Sequence, residues 1–97
     1  MVKEYDQETG ELLNTHPSLK CIREHSRYTR PVLASIERLP KGRAILSMTF
    51  IDVYFKCEFK SFDIACSYAE RTDLFGNYDT HADTNADGLE IITYLYS

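Results

Sequence analysis

Between Val53 and Lys60 the chain alternates with a period of two. Val53, Phe55, Cys57 and Phe59 are apolar, while Tyr54, Lys56, Glu58 and Lys60 are free to face water. That is the pattern of a half-buried β-strand. Just upstream, Leu46, Met48 and Phe50 put the apolar parity on even positions. The parity flips near Ile51-Asp52, which requires either one extra residue in a strand or a tight turn. Asp52 lacks the glycine partner that two-residue hairpin turns prefer, so a β-bulge is the favoured expectation.

The flanking segments carry other periods. Val2 to Asn14 reads as a hairpin, because Asp6-Gln-Glu-Thr-Gly10 is turn chemistry between Val2–Tyr5 and Glu11–Leu13. Thr15-His-Pro-Ser predicts a helix start, followed by a short apolar stripe of Leu19, Cys21, Ile22 and His25. A second start at Thr29-Arg-Pro is followed by Val32, Leu33, Ile36 and Leu39 on one helical face, stopped by Pro40 and Gly42. Ser61 or Asp63 caps a third helix over roughly 62–72, with Phe62, Ala65, Cys66 and Ala69 facing a sheet. Leu74-Phe-Gly76 closes that unit. Asn77 to Gly88 is polar and Asp-rich and reads as a loop, and Leu89 to Tyr96 is β-branched and aromatic, a final strand. The expectation is an α+β fold: a small antiparallel sheet of three to five strands with two or three short helices on one face. Residues 1–97 form one domain, with no linker or low-complexity stretch.

Composition narrows the function classes. A hydrophobic share of 43% and a charged share of 27% fit a folded domain and argue against disorder. The longest apolar stretch, around Ala44 to Ile51, is far short of the roughly 20 residues that a membrane helix needs. The polar, acidic start is unlike a secretory signal, and three cysteines (Cys21, Cys57 and Cys66) do not make a disulfide framework. A reducing, cytoplasmic setting is therefore expected. No G-x-S-x-G, phosphate-binding glycine loop or H-E-x-x-H occurs, and the chain reads as a non-enzyme without a cofactor. Asp83-Thr-Asn-Ala-Asp-Gly88 matches the first half of a calcium loop, but position twelve would be Tyr94, which has no carboxylate. Cys21 and His25, with Cys57 and Cys66, could supply zinc ligands, yet no pair has the close spacing of such sites. Core roles suit these cysteines better.

Charge adds the strongest non-local signal. The formal net charge is −4, unevenly spread. Residues 20–43 hold seven Lys and Arg against Glu24 and Glu37, a net of +5, and residues 61–97 hold only Arg71 against seven carboxylates, a net of −6. Two binding classes follow. A nucleic-acid-binding accessory protein would use Arg23, Arg27, Arg30, Arg38, Lys41 and Arg43, with Tyr28 available for stacking. A protein-binding inhibitor would instead present Asp73, Asp79, Asp83, Asp87 and Glu90 to a basic cleft. If residues 79–87 were helical, Asp79, Asp83 and Asp87 would climb one face at about 6 Å intervals, a row able to stand in for nucleic-acid phosphates. The overall acidity favours the second class and argues against direct nucleic-acid binding.

The short length, the Tyr5-Asp-Gln-Glu-Thr-Gly-Glu-Leu12 opening and the acidic, Tyr-rich C-terminal third resemble phage-encoded accessory proteins. In general character the chain is most similar to the DNA-mimicking anti-CRISPR proteins, the resemblance covering overall character and residues 73–90. It implies a host partner, a Cascade-type surveillance complex with a basic DNA-binding cleft, blocked in the host cytoplasm through Asp73, Asp79, Asp83, Asp87 and Glu90.

Overall fold

The computed structural model describes all residues from Met1 to Ser97. Its strands are β1 (Val2–Asp6), β2 (Leu12–His16), β3 (Leu33–Arg38), β4 (Ala44–Thr49), β5 (Val53–Phe59), β6 (Tyr78–Thr84) and β7 (Glu90–Tyr96). Three short helices, α1 (Lys20–His25), α2 (Phe62–Ala69) and α3 (Thr72–Phe75), complete it. All seven strands form one antiparallel sheet in the order β2-β1-β5-β4-β3-β7-β6. The expected small sheet of three to five strands is therefore wrong. Thr29–Leu39, with its helix-like spacing, and Asn77–Gly88, with its loop-like polarity, contribute strands β3 and β6 instead.

The physical reasons are local. In β3, Ala34 and Ile36 are fully buried while Leu33, Ser35 and Glu37 face the other side. The helix-like spacing of Val32, Leu33, Ile36 and Leu39 is a coincidence laid over this alternation. Pro31 is buried just before the strand, where the lack of an N–H costs no ladder bond. In β6 only Tyr78 is less than exposed, so no apolar alternation betrays the strand. The parity flip at Ile51-Asp52 is a tight turn and not the favoured bulge: the Phe50 N–H donates to the Val53 carbonyl at 2.8 Å, reversing the chain between β4 and β5. A register shift does occur between Glu4 and Tyr5, opposite β2.

The opening hairpin and the third helix form as expected. Asp6 Oδ1 accepts from the N–H groups of Glu8 and Thr9 at 2.8 and 3.0 Å, and Gly10 takes φ +73° to close the turn. Ser61 Oγ caps α2 by accepting from the Ile64 N–H at 3.1 Å. The helix ends at Ala69, and α3 follows from Thr72.

The two faces of the sheet differ. On one, Ile36, Leu46, Met48, Phe55, Val2 and Tyr94 meet Ile22 of α1, Phe62, Ala65 and Ala69 of α2, and Phe75 of α3 in a single core cluster. The opposite face carries no covering element. Its residues include Lys3 and Tyr5, Tyr54 and Lys56, Ile45 and Ser47, Leu33 and Ser35, Ile91 and Thr93, then Asp79 and Asp83 at the edge. No helix is long and apolar enough to cross a membrane.

Candidate functional site

Strand β6 pairs only with β7, so one of its edges offers unpaired backbone groups. Along a strand, odd positions share a face, which places Asp79, His81 and Asp83 together on the uncovered side. The helical row is thereby overturned. Four extended residues separate Asp79 and Asp83 by about 13 Å, twice the helical interval. Asp87 sits in the β6–β7 turn. None of the three has a Lys, Arg or His within ion-pair distance. Asp83 Oδ1 accepts only the neighbouring Thr84 N–H, at 2.8 Å.

The other two carboxylates of the predicted set lie elsewhere. Glu90 projects on the helix-covered side and accepts from Arg38 Nη2 at 3.3 Å, while the Arg38 guanidinium lies 4.2 Å over the Phe62 ring. Asp73 in α3 is gripped by Arg71, whose Nε and Nη2 donate at 2.9 and 2.7 Å. That fork holds the Asp73 carboxyl below its usual range and raises the Arg71 guanidinium. The five residues therefore reduce to an unpaired trio, Asp79, Asp83 and Asp87, and two neutralised members.

The stretch with the calcium-like pattern builds the turn between β6 and β7. Asn85 Oδ1, the middle oxygen of the calcium pattern, accepts from the N–H groups of Asp87 and Leu89 at 2.9 and 3.0 Å, organising the turn itself. Asn85 Nδ2 reaches Glu37 Oε2 at 3.3 Å. Tyr94, at position twelve, is fully buried and donates to Glu70. No group of three or more His, Cys, Asp and Glu side chains lies close enough to hold a metal ion. The zinc set is likewise dispersed: Cys21 is on α1, Cys57 on β5 and Cys66 on α2, all as free thiols pushed up by burial. A protonated thiol is a weak nucleophile, and the Cys21 Sγ donates to the Ser18 carbonyl at 3.3 Å.

The basic segment is broken up by the fold. Lys20 pairs with Glu24 at 3.6 Å, Arg38 with Glu90, and Arg43 with Glu58 at 2.9 Å. Arg30 lies against Gly76, where a Cβ would collide with the guanidinium. Lys20, Arg23 and Arg27 do share one open cleft, next to Asp73 and Leu74.

A second cleft, of about 420 Å³, has no counterpart in the sequence pattern. Phe55 lines it, flanked by two histidines that each hold a carboxylate. His16 Nε2 meets Glu4 Oε1 at 2.7 Å, and His25 Nε2 meets Asp52 Oδ1 at 3.2 Å. The sequence carries no local signal for these pairs, since the partners are 12 and 27 positions apart. His25 also packs edge-on against Phe50, with ring centroids 4.6 Å apart.

No family model matches this sequence, and comparisons with curated proteins and with solved structures find no similar chain.

Proposed function

We propose that this chain is a small binding protein that inhibits a nucleic-acid-processing complex by placing its acidic β6–β7 hairpin in a basic cleft. A Cascade-type surveillance complex, with target DNA excluded, is the specific form of that reading. One observation carries it: Asp79 and Asp83 on the edge strand and Asp87 in the turn that follows are exposed, and no cation of the chain neutralises them. Unpaired carboxylates on one strand are complementary to a Lys/Arg-lined groove, and the free backbone edge adds hydrogen-bonding groups beside them. The ordinary alternative use of such charges is to keep an edge strand from pairing with other sheets. Binding to a basic partner separates the two uses.

A nucleic-acid-binding role is the second reading, favoured only by the cleft that Lys20, Arg23 and Arg27 share. A low-salt gel shift with the chain and either DNA or RNA decides between them. The inhibitor reading predicts no shift of free nucleic acid and loss of target-DNA binding when the chain is added to the surveillance complex. A clear shift of free DNA or RNA, with the complex unaffected, would establish the second reading in its place.

A further inference from the structure

We propose that the cleft beside Phe55, between α1 and strands β1 and β2, binds a guanidinium group, held by Glu4 and Glu24 among aromatic rings. This goes beyond the inhibitor reading and does not rest on it, because β2 and β1 form one end of the sheet and β6 the other.

The cleft exists because α1 is short. Ile22 is the one residue of α1 buried in the core. Cys21, Glu24 and His25 fall on one face of the helix and line the cleft. The opposite wall is Glu4, which stands directly across from Phe55, and His16 of β2. The enclosed space of about 420 Å³ is the size of a small-ligand site. Aromatic rings frame it. The Phe55 ring meets both imidazoles, with centroids 6.3 Å from His16 and 5.7 Å from His25. Tyr28 lines the same space yet is 84% exposed, a large ring left without a packing partner.

The hydrogen-bond accounting of the carboxylates selects a cation. The Glu4 side chain is only 17% exposed, and His16 occupies its Oε1 alone, so Oε2 has no partner within the protein. A carboxylate oxygen drawn partly out of water and left unpartnered is costly. Glu24 meets only Lys20, at 3.6 Å, with both side chains more than half exposed. Such a surface pair contributes little and is readily exchanged for another cation. An anion would face both carboxylates, and a neutral apolar ligand would leave Glu4 Oε2 as it is. A metal ion lacks a third close donor. A guanidinium answers the whole site: its planar fork donates to carboxylates while its faces lie against aromatic rings. An ammonium carries the same charge but is more strongly hydrated and has no flat face.

Proton NMR tests this with Nα-acetyl-arginine methylamide, which carries a guanidinium and no other charge. Ring signals of Tyr28, Phe55, His16 and His25 are expected to shift and saturate, with a midpoint below about 10 mM. The blocked citrulline equivalent has the same shape without the charge, and is expected to bind at least about tenfold more weakly. The Glu4→Gln chain is expected to lose at least about tenfold in affinity and the Glu24→Gln chain about threefold. Glu24 is exposed and outside the core, so its variant decides the matter even if the Glu4→Gln chain does not fold. Free L-arginine separates two sources of the group. Tighter binding than the blocked form points to a free amino acid, whose carboxylate Lys20 can meet, and weaker binding to an arginine side chain of a protein. No saturable shift up to about 10 mM, citrulline binding as well as arginine, or a Glu24→Gln chain that binds normally overturns the proposal. Shifts confined to His81, which stands between Asp79 and Asp83, would place the cation on the acidic hairpin and overturn it too. Phosphate that moves the cleft signals at lower concentration than the blocked arginine would assign Lys20 and the histidines to an anion, with the same consequence.

Discussion

Tyr94 and Tyr68 are both packed into the core side of the sheet, yet their hydroxyls meet different fates. The Tyr94 hydroxyl donates to Glu70 Oε2 at 2.6 Å, whereas the buried Tyr68 hydroxyl has no partner. Replacing Tyr94 with Phe removes a hydrogen bond and is expected to cost about 0.5–1.5 kcal/mol. Replacing Tyr68 with Phe removes an unsatisfied polar atom, and its expected effect is neutral or stabilising. Urea midpoints of the two variants check this; a Tyr68→Phe loss as large as that of Tyr94→Phe would show a missing partner. Burial, as the main cause, holds the phenols of Tyr68, Tyr94 and Tyr96 above the usual tyrosine range. Folded values above the unfolded one mean stability that is complete below about pH 10 and lost as pH rises through the folded values. Of the seven tyrosines, these three should ionise only as the fold is lost. Titration of all seven near pH 10 with circular dichroism unchanged would contradict that.

Individual elements differ in how openly the sequence declares them. Strands β4 and β5 and helix α2 each have one apolar and one polar face, so their periods of two and 3.6 residues are visible directly. Strand β3 hides because Val32, Leu33, Ile36 and Leu39 satisfy a helical spacing as well, and only pairing with both β4 and β7 decides the matter. Strand β6 hides for the opposite reason. As an edge strand it buries almost nothing, so Asp79, Thr80, His81, Ala82 and Asp83 follow no hydrophobic period. The acidic trio is legible in the sequence as charge but not as geometry. The ion pairs that remove Asp73 and Glu90 from it depend on Arg71 geometry and on Arg38, 52 positions away from Glu90. The β1–β2 turn offers a prediction at this scale. Asp6 accepts the Thr9 and Glu8 N–H groups, and these bonds hold its carboxyl below the usual range. A lowered folded value means stability present above the unfolded value and lost as pH falls through the folded one. The Asp6→Ala chain should be less stable than wild type at pH 7, with the gap closing below about pH 4. Urea midpoints across that range measure it, and a gap independent of pH would locate the turn's stability elsewhere.

Over the whole molecule the sheet separates three surfaces: a core side under the helices, an uncovered face and the acidic edge. The basic segment, so prominent along the chain, makes no continuous patch because Lys20, Arg38 and Arg43 each meet a carboxylate. The net −6 of the last third is what remains available, and within it Asp79, Asp83 and Asp87 lack partners. On the proposed reading, the acidic hairpin is the working surface. Its most direct test is inhibition of target-DNA binding by a Cascade-type complex, comparing wild type with the Asp79→Lys/Asp83→Lys/Asp87→Lys chain. Wild type is expected to abolish DNA binding, and the reversed chain to need at least about a hundredfold higher concentration. Equal inhibition by the two chains, or none by wild type, would contradict it.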